Sequence, residues 1–115
     1  MRMKKLLLLF LLLPLTAKAD YWVQKANVGG LNRADATGFS INGKGYMGTG
    51  YSGTYQSDWW EYDPATDSWT QKASYPGGGI VEAVSFDIGA YGYVVASPAS
   101  NDVYRYDPAS NTWTA

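Results

Sequence analysis

Beyond residue 20 the apolar positions alternate with polar or small ones over short runs, and no long helix-forming window interrupts them. In 36–41 and 83–88, Phe39, Ile41, Val84, Phe86 and Ile88 recur at every second position, so each run predicts a strand. Small Ala36, Gly38, Ala83 and Ser85 suit a crowded inner position. Each run leads into a tight turn: Asn42-Gly43 fits type I′ and Gly89-Ala90 fits type II′. A second strand is predicted at about 45–49 and 92–96, and a third at 58–62 and 102–106. In the third, neighbouring Trp59 and Trp60 must point to opposite faces, which calls for cover on both sides of the sheet. The second copy carries Val103, Tyr104 and Tyr106 there. Asp63-Pro64 and Asp107-Pro108 then read as turns, since proline lacks a ladder donor and its fixed φ suits position i+1. A returning strand opens at Trp69 and Trp113, and a matching start stands at Trp22.

These runs belong to a repeat. Shifted by 47, Trp22, Gln24, Lys25 and Ala26 fall on Trp69, Gln71, Lys72 and Ala73, while Phe39, Ile41 and Tyr46 fall on Phe86, Ile88 and Tyr93. After the loop that begins at Thr49 the shift is 44, and Asp58, Tyr62, Asp63, Pro64 and Trp69 fall on Asp102, Tyr106, Asp107, Pro108 and Trp113. A period of that length with four short strands per unit is the signature of propeller blades. The predicted architecture is all-β: two four-stranded antiparallel blades, at about 34–73 and 81–115, preceded by a leading strand at about 21–26. The last strand is incomplete.

Composition and charge narrow the setting. Residues 1–19 read as a secretory signal, with a basic start at Arg2, Lys4 and Lys5, an apolar run over 6–15, and Ala17 and Ala19 flanking Lys18. The run is too short to span a bilayer, which needs about 20 apolar residues. A secreted chain, periplasmic, cell-surface or extracellular, is expected, with no membrane insertion after cleavage. Removal of the signal leaves five basic against ten acidic residues, a balance that disfavours nucleic acid as a partner. There is no Cys, so packing alone must hold the fold, and Tyr and Trp supply most of the apolar area.

Tyr62-Asp63-Pro64 with Trp69, Tyr106-Asp107-Pro108 with Trp113, and Tyr46 and Tyr93 in the second strands resemble the kelch repeat, specifically secreted bacterial proteins of the galactose-oxidase-like kind. The resemblance covers essentially all of 21–115. One departure is the Gly-Gly doublet usual after the second strand, which here is Gly48-Thr49-Gly50 and Ala96-Ser97. Such propellers close with five to eight blades, so this resemblance implies further blades of the same chain or copies of itself. Trp22 and its neighbours look like the circular latch that completes a final blade, and the expectation is that the sequence is a piece of a longer protein. The alternative is a two-blade lectin that oligomerises into a complete ring.

Candidate chemistry is sparse. The longer loops between second and third strands, and between blades, lie on one rim and offer Tyr51, Tyr55 and Gln56, together with Asn32, Arg33 and Tyr75, as ligand-binding candidates. Exposed Tyr beside Gln, Asn and Ser suits stacking on a sugar ring and bonding its hydroxyls; the plainer reading is that these rings cover blade edges. Two G-x-G-x-x-G matches, at 43–48 and 48–53, bracket a strand instead of opening a helix, so no dinucleotide site is expected. Gly77-Gly78-Gly79 reads as a connection, and Asp63 and Asp67 as caps of turn amides. With no His and no Cys, the usual general base, thiol nucleophile and soft metal ligands are missing. No cofactor, metal or catalytic residue is expected, and the copper chemistry of galactose oxidase is not supported. Only Arg33 and Arg105 remain of the arginines, too few for a sialidase cluster. Arg105 reads as a blade-edge or surface residue, and Glu82 and Asp87 as carboxylates near the channel. The expected function is a recognition scaffold for protein or carbohydrate. A propeller enzyme acting on a sugar, of the sialic-acid mutarotase kind, is the alternative, with its active residues in other blades.

Overall fold

Turn chemistry sets the strand order. Asn42 and Gly43 take φ of 51° and 76°, the paired left-handed conformation of a type I′ turn, so β1 (Thr37–Ile41) folds straight back into β2 (Lys44–Gly48). Gly89 takes φ 61° between β5 (Val84–Ile88) and β6 (Tyr91–Val95). At the outer hairpins, between β3 (Trp59–Asp63) and β4 (Ser68–Lys72) and between β7 (Val103–Asp107) and β8 (Thr112–Thr114), proline follows an aspartate whose Oδ1 accepts the amide two residues on. These bonds are Ala65 N–H to Asp63 and Ala109 N–H to Asp107, both 2.9 Å. The computed structural model describes residues 20–96 and 100–115. It contains two four-stranded antiparallel sheets, ordered β1-β2-β3-β4 and β5-β6-β7-β8. Residues 1–19, expected to be a secretory signal, and Ser97 lie outside the described residues.

The two sheets stack as successive blades, and the pleat decides what lies between them. Register pairs Phe39 with Tyr46, Tyr46 with Glu61 and Gly48 with Trp59, which puts these side chains on the face of blade 1 that meets blade 2. Blade 2 answers with Val94, Tyr104, Tyr106 and Trp113. Trp59, Val94 and Tyr106 are completely buried. Trp59 stands edge-on to Trp113 at 5.2 Å, and Trp113 packs on Tyr106 at 4.9 Å. Gly92 makes room for the Phe39 ring, because a Cβ there would sit 2.0 Å from it. Trp60 points the other way, as the alternation requires, and covers Gly29, where an added Cβ would lie 2.2 Å from the indole.

The joint between blades is fixed by a hydrogen-bonded clamp that occurs twice. Trp113 Nε1–H donates to Ala73 O at 2.8 Å, and Ala73 N–H donates to Asn111 Oδ1 at 2.9 Å, which also accepts Tyr106 O–H at 2.8 Å. In blade 1, Trp69 Nε1–H donates to Ala26 O at 2.9 Å, Ala26 N–H to Asp67 Oδ1 at 3.0 Å, and Tyr62 O–H to that same oxygen at 2.6 Å. Asp67 and Asn111 both adopt left-handed φ, 49° and 54°, which Asp and Asn tolerate better than most residues. Asp67 therefore does not cap a turn amide, as expected from its place after Pro64. It ties the chain entering blade 1 to the outer hairpin of that blade.

The expected leading strand at 21–26 is a second correction. Those residues form no strand, and the Trp22 side chain is fully exposed. The equivalent β4 exists because β3 stands beside it, and among the described residues no strand offers 21–26 such an edge.

Trp113 sits among Trp59, Tyr75 and Tyr106, whereas Trp69 packs on Tyr62 at the open side of blade 1. Both Trp→Phe changes lose one hydrogen bond, worth about 1 kcal/mol, but only Trp113→Phe also leaves a core cavity, for a total near 2 kcal/mol. Urea unfolding midpoints should rank wild type above Trp69→Phe above Trp113→Phe. Equal losses at the two sites would contradict the packing of the partly buried Trp113 ring against the core.

Candidate functional site

The loop from Thr49 to Asp58 and the chain segments beside it form one pinned rim. Thr49 and Gly50 leave β2 with φ of 59° and 93°, turning the chain sharply toward Ala34. A Cβ on Gly50 would come within 2.5 Å of Ala34 O, so only glycine allows that approach. Ala34 and Tyr51 then exchange two backbone bonds, of 3.0 and 2.8 Å. The neck of the loop closes through Thr49 N–H to Asp58 O at 3.1 Å, and its far side through Gln56 N–H to Gly50 O at 2.8 Å. The connection between blades seals the other flank: Gly50 N–H donates to Ile80 O at 2.8 Å and Tyr75 N–H to Ser57 O at 2.8 Å.

Of the residues expected to bind a ligand, the structure brings three together. Tyr51 and Tyr55 are both exposed and meet edge to face at 5.7 Å, which presents two ring faces at an angle. Gln56 lies next to them, but its side-chain N–H₂ donates to Thr54 O and Oγ1 at 3.0 and 2.8 Å, which shapes the loop from within. Asn32 is exposed and apart from the tyrosines' mutual contact.

Two candidates are buried and serve the fold. Tyr75 is 2% exposed, packed edge-on against Tyr104 and Trp113 at 5.1 and 5.5 Å, because the chain between blades must cover the end of the aromatic joint. The Arg33 side chain is likewise 2% exposed and grips Asp58 with two bonds of 2.5 and 2.6 Å. It also donates to Thr49 O at 3.0 Å and Leu31 O at 3.3 Å, while Trp60 Nε1–H donates to Asp58 Oδ2 at 2.7 Å. Hydrogen bonds from Arg33 hold the Asp58 carboxyl below its ordinary range, against the opposing effect of burial. This pair ties the entry segment to the neck of the rim loop. Its partners lie 25 residues apart with no periodic relation, so the sequence carries no signal for it. The Asp67 and Asn111 clamp did carry one, since those two residues fall on each other at the shift of 44.

A second polar cluster lies inside the joint. Burial pushes up the Glu61 carboxyl, but Tyr46 O–H at 2.7 Å and Lys44 Nζ at 3.0 Å, with Lys72 nearby, outweigh that and leave it lowered. Burial, reinforced by the Glu61 charge, pushes Tyr106 up to about 12. Asp35 and Glu82, equivalent at a shift of 47, are exposed near the start of each inner strand with left-handed φ. Among the described residues no group of three or more acidic side chains converges. Arg105 is exposed on the outer face of blade 2, over the Tyr91 ring at 4.5 Å.

No family model matches this sequence, and no curated protein matches it. Among solved structures, that of YjhT matches at 30% identity and a TM-score of 0.59, over 73% of this chain and 28% of YjhT. The fold is that of a β-propeller segment. The chain spans little more than a quarter of the length of YjhT, and the stacked meanders correspond to blades of such a ring.

Asp58→Asn would leave the Arg33 guanidinium buried without a countercharge, a change that costs about 3 kcal/mol when one partner of a buried pair is removed. Because the folded-state pKa of Asp58 is lowered, its contribution is present above pH 4 and disappears as acid protonates it in the fold. Thermal unfolding of the wild type should therefore lose stability below pH 4 more steeply than that of Asp58→Asn. Parallel pH profiles would show that the pair contributes nothing.

Proposed function

We propose that the chain is an exported, kelch-type recognition module that binds carbohydrate or protein through the rim bearing Tyr51 and Tyr55. The observation that carries this reading is the exposed tyrosine pair on a loop whose backbone is pinned from both sides. Two aromatic faces at a fixed angle suit a sugar, which offers an apolar ring face for stacking. Preorganisation favours binding because the loop has little freedom left to lose. The net negative charge outside the signal segment supports neutral or cationic ligands over nucleic acid. No catalytic role is assigned to the residues of the rim.

A glycan array probed with the wild type, Tyr51→Ala and Tyr55→Ala tests this directly. Each alanine is expected to weaken binding by roughly fivefold, the loss of about 1 kcal/mol for one stacked ring, with circular dichroism unchanged. Binding that survives both changes would remove the rim from the account. Turnover of a bound sugar would favour the enzyme reading.

A further inference from the structure

We propose that the sugar taken by the Tyr51 and Tyr55 rim carries a protonated amine, so that its ligand class is the amino sugars; this rests on the rim reading above and adds the charge of the ligand. The loop at 49–58 has both of its borders in place. Residues 26–36 run along one flank and residues 73–83 along the other, joined to the loop by the backbone bonds of Ala34 with Tyr51, Gly50 with Ile80 and Tyr75 with Ser57. Charge within these three segments is one-sided. They hold one basic residue, Arg33, and three acidic ones, Asp35, Asp58 and Glu82. Arg33 is closed on Asp58 with its side chain 2% exposed, so that pair offers no net charge to a ligand. Two negative charges remain, on the exposed Asp35 and Glu82. The ion pairs among the described residues engage Asp58, Glu61 and Asp63, which leaves those two carboxylates without a cationic partner there.

Backbone geometry sets both carboxylates beside the tyrosine pair. Asp35 follows Ala34, which exchanges both backbone bonds with Tyr51. Such partners have Cα atoms about 5.5 Å apart, so the Cα atoms of Asp35 and Tyr51 are separated by no more than about 9 Å. Glu82 N–H in turn donates to Asp35 O at 3.2 Å. On the Tyr55 side, a Cβ on Gly79 would lie 2.4 Å from Tyr55 O, so the segment that carries Glu82 runs in contact with that residue. Asp35 and Glu82 fall on one another at the shift of 47, and both take left-handed φ, 55° and 53°. Glutamate seldom adopts that conformation, and strained backbone of this kind concentrates at ligand sites.

Aromatic faces and carboxylates on one rim select a cation. The face of a tyrosine ring attracts an ammonium through its quadrupole, and a carboxylate within a Debye length, ~10 Å at 0.1 M salt, adds to that attraction without touching it. A pyranose stacked on Tyr51 or Tyr55 with an amine at its edge gains from both. A neutral sugar gains the stacking alone. A sugar acid is repelled by Asp35 and Glu82, and Arg33 cannot receive its carboxylate while Asp58 holds the guanidinium.

Calorimetric titration of the full chain with short β-1,4-linked glucosamine oligosaccharides, and with the same oligosaccharides N-acetylated, tests the proposal, because acetylation removes the charge and keeps the ring. The free amine form should bind about tenfold tighter at low salt, and 1 M salt, where the Debye length is about 3 Å, should erase the preference. Asp35→Asn combined with Glu82→Gln should bring the free amine form down to the affinity of the acetylated one, with circular dichroism unchanged. Tyr51→Ala should weaken the free amine form at least about fivefold, which attraction to an acidic chain at large would not. Equal affinity of the wild type for the two forms overturns the amine and leaves the tyrosine rim as a sugar site. Binding of neither overturns the amine as well, and the glycan array then decides the reading beneath it. A preference that survives the double variant, or binding indifferent to Tyr51→Ala, places the charge recognition elsewhere and overturns the proposal. Short lysine peptides that bind as tightly as the glucosamine oligosaccharides and compete with them would assign the ammonium to a protein partner, against the amino sugar.

Discussion

The structure depends on one interaction made twice: the indole N–H of the fourth strand donating to the carbonyl at the end of the preceding segment. A four-stranded meander is a thin sheet with two apolar faces, and by itself it has no reason to stop its neighbour from sliding or tilting. The bonds from Trp113 to Ala73 and from Trp69 to Ala26 set the distance and the angle at which the next layer lies. With that fixed, Phe39 finds the notch at Gly92, Trp59 meets Trp113 edge-on, and polar groups enter the joint at Glu61 with its tethered partners and at Ser85, whose hydroxyl bonds Thr37 and Gly38 across the blades. Asp67 and Asn111 complete the clamp from below, and their left-handed backbone is what brings one side-chain oxygen within reach of both a tyrosine hydroxyl and an amide. Dispersion and burial supply most of the stabilisation of the joint, but the clamp decides its register.

The strands were legible because alternation and turn residues agree along the chain. Asn42-Gly43 closes the hairpin with both residues at positive φ, and the paired Trp59 and Trp60 do face opposite ways. The repeat made the blade count and strand order readable before any contact was known. Residues whose role is set by another segment were harder to read. Arg33 and Tyr75 stand among the ligand-binding candidates in the sequence, yet Arg33 is a buried tie to Asp58 and Tyr75 is a core ring under the connection between blades. Trp22 matches Trp69 and Trp113 in sequence, yet a strand exists only where a neighbour supplies its ladder, so its environment differs from theirs. The tyrosine pair at 51 and 55 was recognisable as exposed, while the edge-to-face geometry arises from the bridge to Ala34 and the positive φ at Gly53.

Rigid sheets and a pinned rim divide the work. The same connection that seals the aromatic joint with Tyr75 also braces the rim loop at Ser57 and Gly50, so the presentation of Tyr51 and Tyr55 depends on the blades remaining docked. The proposed recognition at the rim is therefore coupled to the packing beneath it, and the clamp is the element common to both.

Amide hydrogen exchange at Ala26 and Ala73 tests that account most directly. Both amides lie outside any strand, yet each donates to a clamp oxygen. The account predicts protection at both, within about tenfold of one another and well above that of residues 21–25. Exchange at Ala26 and Ala73 as fast as in residues 21–25 would show that the clamp does not hold the blades together.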